Sequence, residues 1–446
     1  MKKLTIIILL LGINYSCNTE EDPNIPKPNI IIIMADDLGY GDLSSYGNPH
    51  ISTPHIDSLF AEGVKFTDFH SNGSVCSPTR AALMTGKYQQ RTGIAGVITA
   101  ANHRDVGLSL DEITLAEELK SHGYNTAMYG KWHLGYASEF NPIHQGFDEF
   151  VGFVSGNVDY HGHIDQEGYL DWWKGDNIEN EEGYTTDLIT DYGVQYIEQN
   201  NPETTGKPFF LYLPHEAPHS PFQKRIDSIY RTVDKPGTRG IKRDSIPSIY
   251  KEMVEVMDEG IGKIVQSLKT TGQYNNTIIL FLSDNGANRF GSNHPLRGFK
   301  AQVYEGGTRV PALISYPDKI KSGSVSHQPA LTVDVLPTLL DVIGKAPSSD
   351  NIDGISLKDH LMNDAILPER DFYYAFKGYS YARSGDWKLI RKVNDDSTSF
   401  ELYNLAKDLP EFNDLSLDNP RIVNKLNAKL DSWFKEVYEG VEIISD

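Results

Sequence analysis

Four short runs of consecutive apolar residues, each followed at once by charged or metal-binding groups, constrain this chain more than any other feature. They are Ile30-Ile31-Ile32-Ile33-Met34, Thr126-Ala127-Met128-Tyr129, Phe209-Phe210-Leu211-Tyr212-Leu213 and Thr277-Ile278-Ile279-Leu280-Phe281-Leu282. Hydrophobicity on successive residues, without polar alternation, is the pattern of strands buried on both faces, as in a parallel sheet. Helical spacing lies between them, over 115–119 before the second run and over 253–268 before the fourth. Alternating strand and helix predicts an α/β fold: a large mixed, mostly parallel sheet sandwiched by helices. Past about residue 370 the texture changes. Residues 372–376, 379–384 and 387–391 read as short antiparallel strands, and 422–437 as a closing helix. The expected organisation is a main domain over 29–368 and a smaller antiparallel α+β subdomain over 369–446.

The first residues read as a targeting segment. Lys2 and Lys3 precede an apolar run over 4–13, shorter than the ~20 residues that cross a bilayer. Ser16 before Cys17 fits a loose lipobox, although Asn14 and Tyr15 are poorer matches. The expectation is a lipoprotein signal peptide over 1–16, lipidation at Cys17 and a polar tether over 17–28. The membrane would then be met by the lipid anchor only, in the periplasm or at the cell surface. An ordinary cleaved signal peptide with Cys17 incidental is the alternative. Cys17 and Cys76 are the only two cysteines. With both assigned to chemistry, no disulfide is available, and the fold must rest on core burial and bound metal. The net charge of −20 becomes two units more negative when Lys2 and Lys3 leave with the leader. Such acidity argues against a nucleic-acid partner, but a cleft can be locally positive on an acidic body.

The residues just after each run point to chemistry. The runs lead into Asp36-Asp37, Lys131-Trp132-His133, His215 and Asp284-Asn285. Ligands of open parallel sheets bind outside the carboxyl ends of the strands, so four exits aim these groups at one edge. Asp36, Asp37, Asp284 and Asn285 are hard oxygen donors with no paired His or Cys nearby. They suit calcium or magnesium better than zinc, and an exported chain makes calcium the expected ion. Taken singly, each pair reads equally as a cap or a turn; taken together, after buried strands, they favour a metal site. Cys76 opens a predicted helix over 77–84, with Pro78 in its first turn and Gly86 at its end. The positive end of the peptide dipoles there favours an anionic nucleophile. Arg80, one turn on, returns to the same face. An isolated cysteine otherwise reads as a small buried hydrophobe.

Cys76-Ser77-Pro78-Thr79-Arg80, followed by Ala81-Ala82-Leu83-Met84-Thr85-Gly86, closely resembles the signature of the type I sulfatases of the alkaline phosphatase superfamily. Further landmarks are Ala35-Asp36-Asp37, Gly130-Lys131-Trp132-His133-Leu134-Gly135, Pro214-His215-Glu216-Ala217-Pro218-His219, Ser283-Asp284-Asn285-Gly286, Leu296-Arg297-Gly298-Phe299-Lys300 and Tyr304-Glu305-Gly306-Gly307-Thr308-Arg309. The family usually has Gly where Phe299 stands. The resemblance covers nearly the whole mature chain and implies an alkaline-phosphatase-like fold. It implies a bacterial polysaccharide sulfatase in which Cys76 is oxidised to formylglycine by a formylglycine-generating or sulfatase-maturing enzyme. One calcium would be bound by Asp36, Asp37, Asp284, Asn285 and an oxygen of modified residue 76. Arg80 and the metal would favour ionisation of one hydroxyl of the hydrated aldehyde, which attacks sulfur. His133 would assist the elimination that re-forms the aldehyde. Lys131 and Lys300 would hold sulfate oxygens, and His215 would stand at the leaving oxygen, His215 or Lys300 being the acid. Ser155 aligns loosely with a further sulfate contact.

The substrate that this implies is a sulfated oligosaccharide or polysaccharide. His219, Trp172, Trp173 and the stretch Tyr160-His161-Gly162-His163 are candidates for the sugar-side wall, or else packing residues. Arg383 and Trp387 could close the pocket or pack the C-terminal sheet. Two other readings compete: a phosphonate monoester or phosphodiester hydrolase of the same superfamily, and a surface glycan-binding lipoprotein without catalysis.

Overall fold

Each of the four apolar runs forms a strand of one ten-stranded sheet. The structure, a computed structural model, describes residues 26–444 apart from 234, 238–240 and 396. The leader and Cys17 lie outside the described residues. The sheet comprises β1 (Asn29–Ala35), β2 (Val64–Phe66), β3 (Asn125–Lys131), β4 (Glu149–Phe153), β5 (Trp173–Lys174), β6 (Asn177–Ile178), β7 (Phe209–Pro214), β8 (Thr277–Ser283), β9 (Ala312–Ser315) and β10 (Ser324–Ser326). Their spatial order is β10-β2-β9-β8-β1-β7-β3-β4-β5-β6. The central strands β8, β1, β7, β3 and β4 are parallel to their neighbours, whereas β9 and β5 join the two sides antiparallel.

The continuous hydrophobicity of β1 follows from burial on both faces. Ile30, Ile32 and Met34 pack with residues of α2 (Cys76–Thr85), α3 (Leu115–Ser121) and α6 (Val335–Val342). Ile31, Ile33 and Ala35 pack with α1 (Pro54–Glu62), α4 (Thr185–Gln199) and α5 (Ile246–Thr270). Each such aliphatic side chain contributes roughly 1.5–3 kcal/mol by leaving water. Local signals agree. Thr114 caps α3, accepting from the Glu117 N–H while the Glu117 carboxylate accepts from the Thr114 N–H. Gly86 ends α2 at φ 67°, its N–H donating to the Ala82 carbonyl.

The C-terminal sheet has four antiparallel strands: β11 (Asp371–Phe376), β12 (Tyr379–Ser384), β13 (Trp387–Asn394) and β14 (Ser397–Asn404). The last was not expected, because Ser397-Thr398-Ser399 is polar and only Leu402 and Tyr403 are buried. One face of this sheet packs with Ala82, Val303, Leu331 and Val333 of the main body. The other packs with Leu426, Leu430, Trp433 and Val437 of α7 (Pro420–Tyr438). Arg383 belongs to this junction: its guanidinium pairs with both oxygens of Asp68, at 2.8 and 2.6 Å.

Two glycines let the strands that carry the site lie close together. Gly130 in β3 and Gly152 in β4 face each other across the ladder at φ 128° and 151°. A Cβ on Gly152 would stand 2.1 Å from the Gly130 carbonyl oxygen. Gly152→Ala is therefore expected to lower stability by about 1–3 kcal/mol in denaturant titrations. An unshifted midpoint would mean that β3 and β4 can separate freely.

Candidate active site

The site forms where β1, β3 and β8 end and α2 begins. Asp36 and Asp37 leave β1, with Asp37 in the left-handed region at φ 64°, a conformation that costs a non-glycine residue of order 1 kcal/mol. That turn is stitched to the next strand exit: the Asp37 N–H donates to Asp284 Oδ1 at 3.2 Å and the Leu38 N–H to Ser283 Oγ at 3.1 Å. Cys76 starts α2, and its Sγ lies 3.3 Å from Asp36 Oδ1 and 3.3 Å from Lys300 Nζ. Lys300 Nζ in turn lies 2.6 Å from Asp37 Oδ1, and Lys131 Nζ lies 2.5 Å from Asp36 Oδ2. Arg80 sits 2.9 Å from Asp284 Oδ2 and donates to the Lys131 carbonyl at 3.0 Å. Asn285 donates through Nδ2 to Asp37 Oδ1 at 2.7 Å. Three buried carboxylates are thus matched by three cations, as burial of charge requires.

Titration follows from this packing. Burial alone would raise Asp37, but Lys300, His219 and the Asn285 hydrogen bond hold it well below the usual carboxylate range. Burial and Asp36 push Asp284 up to about 6 against the pull of Arg80. Burial, then Asp36, pushes the Cys76 thiol far above its ordinary value despite Lys131 and Lys300. The positive start of α2 and these two lysines therefore act against burial and Asp36 at this position. Burial also lowers His215 to about 4 and, with Lys300, His219 to about 3. His133 falls well below its usual value through burial, Lys131 and Arg80. His133 Nε2 is 2.9 Å from the Ile98 carbonyl, so this nitrogen carries the proton, and the buried Nδ1 keeps an unpartnered lone pair.

Cys76, His133, Ser155, His219 and Lys300 line a cleft of about 180 Å³. His219 does more than line it: Nε2 lies 3.8 Å from Asp37 Oδ2. His215 is buried at the exit of β7 with its Nδ1 unpartnered, and its ring makes no hydrogen bond to the cluster among the described residues. Trp172 is buried and stacked on His163, Trp173 donates to Asp171, His161 bonds the Lys224 carbonyl and Tyr160 is fully buried. None of these lines the cleft, and the buried Tyr160, His163, Trp172 and Trp173 follow the packing alternative. The remaining cleft wall went unread in the sequence. It consists of the 97–100 loop, Tyr136, Asn157, Gln166 and Glu167, none of which stands in a periodic or motif context. Asn288, 3.3 Å from Asp37 Oδ2, was missed too, although it lies three residues beyond Asn285.

The sulfatase family model matches residues 28–345. This chain belongs to the sulfatase family. A second model, for the C-terminal region of N-sulphoglucosamine sulphohydrolase, matches residues 298–437 of the sulfatase. N-acetylgalactosamine-6-sulfatase of Rattus norvegicus is 34% identical over 405 residues, 82% of this chain and 74% of that protein. The crystal structure of Ps i-CgsB is similar with a TM-score of 0.83 at 30% identity, covering 94% of each chain, and it is also solved with k-i-k-neocarrahexaose. A protein solved with its substrate D-glucosamine-2-N,6-O-disulfate gives a TM-score of 0.73 at 25% identity, covering 93% of this chain and 98% of that one.

The sulfatase family implies a divalent metal, and the donors suit one. Asp36, Asp37, Cys76 and His219 offer ligand atoms within 4.8 Å of one another. The Asn285 Oδ1 acceptor beside them is buried without a hydrogen-bond partner. An orphaned amide oxygen among carboxylates fits a hard cation such as calcium. Independently of any metal, Asp284→Ala strands the buried Arg80 guanidinium, whose next carboxylate, Asp36, is 3.9 Å away. The expected loss is about 3–5 kcal/mol, measured by denaturant titration of both proteins in chelator. A loss under about 1 kcal/mol would show that Asp36 alone satisfies Arg80.

Proposed function

We propose that this sulfatase hydrolyses a sulfate ester on a carbohydrate, using formylglycine made from Cys76 and one calcium held by Asp36, Asp37, Asp284, Asn285 and residue 76. The observation that carries the reading is residue 76 at the start of α2, in contact with both Asp36 and Lys300 and lining the cleft. The carbohydrate is supported by N-acetylgalactosamine-6-sulfatase and by structures holding a neocarrahexaose and a glucosamine disulfate. Once hydrated, formylglycine would supply one hydroxyl to attack sulfur and a second whose deprotonation releases sulfate, which neither a thiol nor a serine offers. Calcium would supply positive charge against the sulfate oxygens.

The chain's own groups do the rest. Lys131 and Lys300, already beside Asp36 and Asp37, hold the sulfate oxygens, while Arg80 adds a third buried positive charge. His133 takes a proton at Nδ1, the nitrogen left open because Nε2 donates to Ile98. The departing alkoxide needs an acid. Lys300 lines the cleft and is the first candidate; His215, held neutral by burial, would donate from the ring nitrogen that carries its single proton and is the second. Ser155 and His219 bound the substrate side. Lys2, Lys3, the apolar run over 4–13 and Cys17 support export and a lipid anchor, and formylglycine requires a maturing enzyme as partner.

The peptide containing residue 76 should have the mass of the aldehyde, and Cys76→Ala should cut turnover by at least about a thousandfold with an unchanged melting temperature. A bare thiol in active enzyme would remove formylglycine from the mechanism. Chelator should abolish turnover and added calcium restore it; full activity in chelator would exclude the metal. Sulfate release from a panel of sulfated oligosaccharides should exceed turnover of phenyl phosphonate, and the reverse preference would favour the phosphonate hydrolase reading.

A further inference from the structure

An arginine that the reaction centre does not use lies beside Tyr136 of the cleft wall. Tyr136, in the turn after β3, lines the cleft; Arg104 follows the cleft-lining Ala100 by four residues and Tyr169 follows the cleft-lining Glu167 by two. The Arg104 guanidinium lies 4.5 Å from the Tyr169 ring centre and 5.8 Å from that of Tyr136. Stacking holds it, not hydrogen bonding. Its nearest carboxylate oxygen, Asp165 Oδ2, is 3.8 Å away, and Asp165 Oδ1 already accepts from the backbone N–H groups of Glu167 and Tyr169. The Arg104 side chain is 46% exposed and Tyr169 59% exposed. A planar cation steadied by aromatic faces, its N–H edge engaged only by the long ion pair to Asp165, keeps donors for two-point recognition of an oxyanion. The open ring beside it offers an apolar surface to the C–H face of a pyranose.

We propose that Arg104 and Tyr169 form a second-sugar subsite that recognises an anionic substituent, sulfate or carboxylate, on the residue next to the one that loses its sulfate. The proposal rests on the carbohydrate reading above. Glu167 shares the rim and opposes a second anion, so substrates bearing that anion gain only where it reaches Arg104.

The test uses the full, matured chain with three substrates: an aryl sulfate, an oligosaccharide sulfated only on the target sugar, and matched oligosaccharides with an added sulfate or uronate on the neighbour. For Arg104→Ala, KM should rise about tenfold or more for the doubly anionic oligosaccharides relative to its change for the aryl sulfate, with kcat little altered. Arg104→Lys should recover only part of this, because an ammonium lacks the stacked, forked geometry. Tyr169→Ala should raise KM for all oligosaccharides relative to the aryl sulfate. Glu167→Gln should lower KM for the doubly anionic ones. The sulfate and uronate arms identify which anion is read. Equal penalties on all substrates, or none, would overturn the subsite while leaving the carbohydrate reading intact. Turnover of aryl sulfate with no turnover of any carbohydrate would overturn both.

Discussion

The buried charge balance of Asp36, Asp37 and Asp284 against Arg80, Lys131 and Lys300 is the interaction on which the rest of this structure depends. Removing any of these ions from water is costly, and only close partners offset it. The partners come from separate strand exits and loops, so the balance exists only when the sheet is assembled. Register does the assembling: Ala35 stands opposite Ser283 and Met34 opposite Pro214. That alignment puts Asp36 level with Asp284 and brings His215 to the same edge. A slip of one residue along β1 would separate these groups and leave buried charges unpaired.

A second buried network serves the first. Lys388 of β13 pairs with Glu305 and Glu411, each at 2.9 Å, and the Glu305 N–H donates to the Glu411 carboxylate at 2.7 Å. Arg297 reaches the Glu411 carbonyl at 2.6 Å. Lys388 of the sheet and the loop carrying Glu411 thereby hold both ends of the segment that carries Lys300. This gives a physical role to a small sheet that lines none of the cleft: it positions a lysine delivered by a loop with no strand of its own. Arg383, on β12, is likewise spent at this junction, on both oxygens of Asp68.

Much of the fold was legible in the chain. Unbroken apolar runs mark strands covered on both faces, and they are the four strands whose ends hold the acidic and basic groups. The start and end of α2 were readable from Pro78 and Gly86. Strands such as β4, β9 and β14 were not, because they are short or half-polar and depend on neighbours for burial. The electrostatics of residue 76 were legible only in part, because a helix start is one contribution among several. Desolvation and the adjacent Asp36 oppose it, and neither can be read from local residues. The aromatic stretch over 160–173 read equally as sugar wall or packing, because residue type does not show burial: Tyr160 is covered beside His219, a residue distant in sequence, and Trp172 stacks on His163.

The sequence by itself determined the family signature, the strand-and-helix alternation and the donors that surround residue 76, since these reside in residue type and local spacing. Only the tertiary structure decided which nitrogen of His133 keeps a lone pair, that Lys300 touches residue 76, and that Arg104 stacks on Tyr169 beside the cleft-lining Tyr136. Those facts depend on distances between segments far apart along the chain. Such distances are set by sheet register and by the matching of buried charge, which no local pattern encodes.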